Sequence, residues 1–91
     1  MSRNDIKELA RMTMTQCKEK LIFLIKECGD IEDLDFRIFF KTFDDVVTIK
    51  AIKDGYIYFN TKNSEAFPDG EYMFIISDFT MDELYTIIKF L

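Results

Sequence analysis

The chain has 91 residues, 48% of them hydrophobic and 15% aromatic, with three glycines and one proline, a composition that predicts one globular domain over 1–91 and excludes a disordered polymer. Residues 1–28 carry six basic and four acidic side chains and residues 29–91 six basic and thirteen acidic, for a net charge of −5; this balance argues against a nucleic-acid partner, which needs a basic face to displace counterions. No apolar run exceeds five residues, far short of the ~20 that cross a bilayer and below the ~7 to 15 of a signal-peptide core, so the reading is a cytoplasmic protein without a membrane partner.

Ser2, with Asp5 three residues on, has the pattern of a helix N-cap, and Gly29 after Cys28 that of a C′ residue, which predicts a long first helix over 3–28. Its apolar stripe is Ile6, Ala10, Met14, Cys17, Leu21, Leu24 and Cys28. The spacing alternates four and three for fewer than three heptads, too short a run to argue a coiled coil, so a helix laid across a sheet is expected. Ile22 and Phe23 point away from that stripe, which predicts a further cover for the last two turns. Cys17 and Cys28 lie ~16 Å apart along such a helix, beyond disulfide reach, and read as reduced core residues.

The acidic connector 30–35, DIEDLD, fails as a calcium loop. Counting Asp30 as position 1 puts Asp35 where the loop needs glycine and Lys41 where it needs glutamate. The next segment, 36–43 or FRIFFKTF, admits two readings. As a strand it turns Phe36, Ile38 and Phe40 inward and leaves Phe39 on the polar side; as a helix it gathers Phe36, Phe39, Phe40 and Phe43 on one stripe. Its length and aromatic content favour the strand.

Over 46–61, VVTIKAIKDGYIYFNT, two β-rich arms flank Asp54-Gly55, a strong hairpin signal. A three-residue loop with Gly55 in the left-handed position sets Ala51 opposite Ile57 and Ile49 opposite Phe59 and sorts the faces. It predicts Val47, Ile49, Ala51, Ile57 and Phe59 in the core, and Thr48, Lys50, Ile52, Tyr56, Tyr58 and Asn60 on the other side. After a polar run, Phe67-Pro68-Asp69-Gly70 reads as a turn into a last strand over 72–76. That strand is apolar on both faces and is expected to be covered on both.

Thr80 with Glu83 forms a capping box, and Phe79 with Leu84 a hydrophobic staple, opening a short C-terminal helix whose stripe is Met81, Leu84, Tyr85, Ile88 and Leu91. The fold expected is α+β: a long N-terminal helix, an antiparallel β-meander of about four strands and a short C-terminal helix, in the order α-β-β-β-β-α.

The chain has no histidine and only two cysteines, and neither a glycine-rich phosphate loop nor a nucleophile elbow, so no catalytic residue, cofactor or metal is expected and the chain reads as a non-enzyme. The carboxylate pairs Asp44–Asp45 and Asp82–Glu83 are explained as a turn and a helix N-terminus. The favoured function is a protein-interaction module or homodimer. Its partner-binding surface would be the second face of the sheet, from Phe39, Ile52, Tyr56, Tyr58, Met73 and Ile75, since a monomer seldom leaves so much apolar area in water; a helix covering that face would remove the surface. The alternative is an acidic inhibitor or immunity-type protein that blocks a basic, nucleic-acid-handling partner through the carboxylates of residues 29–91.

Overall fold

A computed structural model describes residues 13–62 and 67–91. The order is α1 (Met14–Glu27), β1 (Phe36–Phe40), β2 (Asp45–Lys53), β3 (Tyr56–Thr61), β4 (Gly70–Ile75), a 3-10 turn at Ile76–Asp78, and α2 (Met81–Phe90). The strands form one antiparallel meander, β1-β2-β3-β4. Leu21 and Ile25 of α1 and Leu84 and Ile87 of α2 share one core with the inward side chains of the strands, so both helices lie on the same side of the sheet. This is the α+β meander flanked by helices that the sequence predicts. Among the described residues no helix is long and apolar enough to cross a membrane.

The first helix begins later than 3. Thr13 is extended, and it and Gln16 cap each other's backbone N–H groups, so a second capping box interrupts the predicted 3–28 helix. The Ser2 and Asp5 cap, with Ile6 and Ala10 of the stripe, falls outside the described residues. The end is as expected: Gly29 takes a φ of +75° and its N–H donates to the Lys26 carbonyl. The buried side differs from the predicted stripe. Leu21 and Ile25 are in the core, while Met14, Leu24 and Cys28 are exposed, so Cys28 is not a core cysteine. A heptad stripe presumes contact along the whole helix; this one meets the core through an i, i+4 pair, packs on α2 as well, and ties to the 3-10 turn through Lys18 Nζ, which donates to the Ser77 carbonyl at 2.6 Å. Phe23, at 59% exposure, has no cover among the described residues.

Residues 36–40 form a strand, with Phe36, Ile38 and Phe40 inward and Arg37 and Phe39 outward. The hairpin then departs from the predicted register. Asp54 and Gly55 both have positive φ, +55° and +79°, the signature of a two-residue type I′ turn, and Ile52 pairs with Ile57. A two-residue loop continued regularly would turn Lys50 into the core beside Phe59. A bulge at Lys50 prevents this: Ala51 pairs with Tyr58 but Ile49 with Phe59. The extra residue returns β2 to the predicted alternation from Ile49 onward. Consequently Ile52 is a core residue at 2% exposure, and Ala51 takes the outer position. The connector 30–35 is strapped along this irregular stretch. Ile31 and Ile52 exchange two backbone hydrogen bonds of 2.8 Å, and the Leu34 N–H donates to the Lys50 carbonyl at 2.9 Å.

The inner layer is rich in rings. Phe40 stacks on Phe79 with centroids 4.4 Å apart and meets Phe59 and Phe74 edge-on, while Phe43 stacks on Phe67. The strand β4 ends at Ile75, and Ile76 opens the 3-10 turn while staying buried. Its outward side chains, Met73 and Ile75, are exposed, so β4 is covered on one face rather than two among the described residues. In α2 the staple residues Phe79 and Leu84 are fully buried, but Ile87 takes the core position expected of Tyr85 and Leu91, both of which are exposed. The helix lies against β1 through its 84/87 edge, which turns Tyr85 outward.

Candidate functional site

The outer face of the sheet follows from register alone, because side chains alternate along each strand. Three cross-strand rows can be read from the pairing. Arg37, Thr48, Asn60 and Glu71 lie in one row from edge to edge. On one side of it Phe39 pairs with Val46. On the other side Ala51, Tyr58 and Met73 form a row, with Lys53, Tyr56 and Ile75 beyond it.

Five of the six predicted contact residues therefore share this face: Phe39, Tyr56, Tyr58, Met73 and Ile75. Ile52 does not, for the reason of the two-residue turn. Nor do the five form one patch. Phe39 and Val46, 54% and 46% exposed, occupy one corner, while Met73 and Ile75, 49% and 44% exposed, flank the half-buried tyrosines at the opposite corner. The polar row runs between them. Val46, Arg37 and Glu71 are the members that sequence reasoning missed; the strand pattern marked Arg37 as outward, but only the register shows that Arg37 and Glu71 end the same row.

The face is electrostatically balanced. Lys50 pairs with Asp35 at 3.6 Å and Lys53 with Glu32 at 3.2 Å, so the connector 30–35 neutralises the two lysines of β2. The Glu32 carboxylate, by hydrogen bond and by charge, holds the Lys53 ammonium above its usual range. A raised lysine contributes fully below its unfolded pKa and is lost only as pH rises through the folded one, so this pair is complete at neutral pH and opens in strong alkali. Lys53 also lies 5.3 Å from the Tyr58 ring centroid, fixing the tyrosine against the sheet. Arg37 and Glu71 stand some three strand spacings apart, about 14 Å, too far to pair with each other.

Within the polar row, a depression of about 320 Å³ is lined by Arg37, Asp45, Val46, Thr48, Asn60 and Lys62. The Asn60 Oδ1 atom is buried and has no hydrogen-bond partner among the described residues, an uncommon condition for a buried acceptor. Among the same residues no group of three or more acidic, cysteine or histidine side chains is placed to hold a metal ion. No protein-family model matches the chain, and neither a curated protein nor a solved structure is significantly similar to it.

Proposed function

We propose that the chain is a non-enzymatic protein-interaction module that docks through the outer face of its sheet, with self-association as its primary mode. The observation that supports this is the asymmetry of the two faces. The inner one is sealed by both helices, while the outer one carries Phe39, Val46, Met73 and Ile75 in solvent beside two tyrosines, with no cover among the described residues. Aromatic bodies with polar tips are enriched in contact surfaces, and exposed apolar area on a small domain is stabilised by association.

Sedimentation velocity across the micromolar range tests the reading. The wild type is expected to show a monomer–dimer equilibrium, and Tyr58→Lys, which places an ammonium in the middle of the face beside Lys53, to shift it to monomer while circular dichroism stays unchanged. A wild type that is monomeric throughout, or a Tyr58→Lys variant that associates as the wild type does, overturns it. The second reading, an acidic inhibitor of a basic partner, rests on the thirteen carboxylates of residues 29–91. Several of these are engaged internally, among them Glu32 and Asp35 with lysines, Asp30 and Asp45 with backbone N–H groups and Glu83 with the N–H groups of Lys41 and Thr80.

A further inference from the structure

Resting on the outer face as the docking surface, we infer that its partner is a second copy of this chain, stacked face to face about a two-fold axis that runs parallel to the strands between β2 and β3. The polar row carries the inference. From one sheet edge to the other it reads cation, hydroxyl, amide, carboxylate: Arg37, Thr48, Asn60, Glu71. A two-fold axis in that position lays β1 of one copy over β4 of the other and β2 over β3, without moving a residue out of its row. Arg37 then faces Glu71 of the second copy, and the reverse pair forms by symmetry. Thr48 faces Asn60 of the second copy, a neutral polar pair set between the two ion pairs. Sheets stacked face to face sit about 10 Å apart, a gap that the long side chains of Arg37 and Glu71 span. In the neighbouring row Ala51, the smallest side chain on the face, lies opposite Tyr58 of the second copy and leaves room for its ring.

Charge also selects this surface. Each copy carries −5, so two copies repel unless they meet where the charge is locally balanced, and the outer face is balanced by the Lys50–Asp35 and Lys53–Glu32 pairs. A four-stranded face about 20 Å on a side is small beside the ~800 Å² per partner of a standard interface. The dimer is therefore a weak one whose register depends on the polar row, because the apolar residues lie at two separate corners.

The test is a charge exchange on the full chain, read by sedimentation velocity. Arg37 and Glu71 are exposed, so Arg37→Glu and Glu71→Arg are expected to fold as the wild type does, which circular dichroism checks. Each reversal sets two like-charged pairs across the interface and should weaken association by about tenfold, from the ~1 kcal/mol scale of exposed ion pairs. The double variant Arg37→Glu/Glu71→Arg restores opposite charges and should return to within about threefold of the wild type. If the reversals have no effect, or the double variant stays as weak as the singles, while Tyr58→Lys still dissociates the dimer, this two-fold arrangement is overturned and the outer face stands. If the wild type does not associate at all, both fall.

Discussion

Glu83 is the residue whose placement asks most of the physics, a carboxylate only 6% exposed where α2 meets the end of β1. Its two oxygens divide the work. One accepts the Thr80 N–H at 2.7 Å, closing the capping box, and the other accepts the Lys41 N–H at 2.7 Å, just beyond the end of β1. A local helix signal thus doubles as a tie between α2 and the turn after β1, and burial is tolerated because both oxygens are paired. Glu83→Ala leaves two donors without partners and should lower stability by about 2–4 kcal/mol. Glu83→Gln keeps the shape and one acceptor and should cost roughly half as much. Urea unfolding midpoints of the three proteins give the comparison; an alanine variant as stable as the wild type would show that water serves these N–H groups equally well.

At the scale of the element, the β2–β3 hairpin decides what the outer face contains. Gly55 has a φ of +79°, and a Cβ built on it meets nothing within 4 Å, so any cost of Gly55→Ala is a backbone cost. An alanine in the left-handed region should lower stability by about 1–2 kcal/mol, or roughly 4–8 °C in Tm per kcal/mol for a domain of this size. Thermal unfolding checks it, and an unchanged Tm would mean that the turn relaxes to a longer loop. The same hairpin shows how far the sequence could be read. Alternation placed Tyr56 and Tyr58 outward and Ile49 against Phe59 correctly, because burial of one face penalises a slip by one residue. It could not place Ile52, since two loops sort the faces equally well once a bulge is allowed at Lys50. That bulge is held from outside the hairpin, by the Leu34 N–H on the Lys50 carbonyl and the Ile31–Ile52 bridge. The helices follow the same rule. Capping boxes are local, and Thr80 and Glu83 were legible, as Thr13 and Gln16 would have been; the burial of Ile25 and Ile87 instead of Leu24 and Tyr85 depends on where a neighbouring element lies.

For the whole molecule the question is which of its two charge features governs association: the net −5, or the balanced outer face. The two respond to salt differently. Docking of the carboxylates of residues 29–91 on a basic partner is a long-range attraction that fades as the Debye length falls from ~14 Å near 0.05 M to ~4 Å near 0.5 M. Face-to-face association of two copies rests on contact in the middle of the face with only the two Arg37–Glu71 pairs at its rim, and salt screens the repulsion between the like-charged bodies while it weakens those pairs. The two effects oppose each other, so the self-association constant should change by no more than about threefold between ~0.05 and ~0.5 M salt. Sedimentation velocity at the two salt concentrations measures it. A tenfold or steeper loss would assign the self-association to the Arg37–Glu71 ion pairs and remove apolar contact as its main source. A gain of similar size would mean that net repulsion, and not the polar row, limits how closely two copies meet.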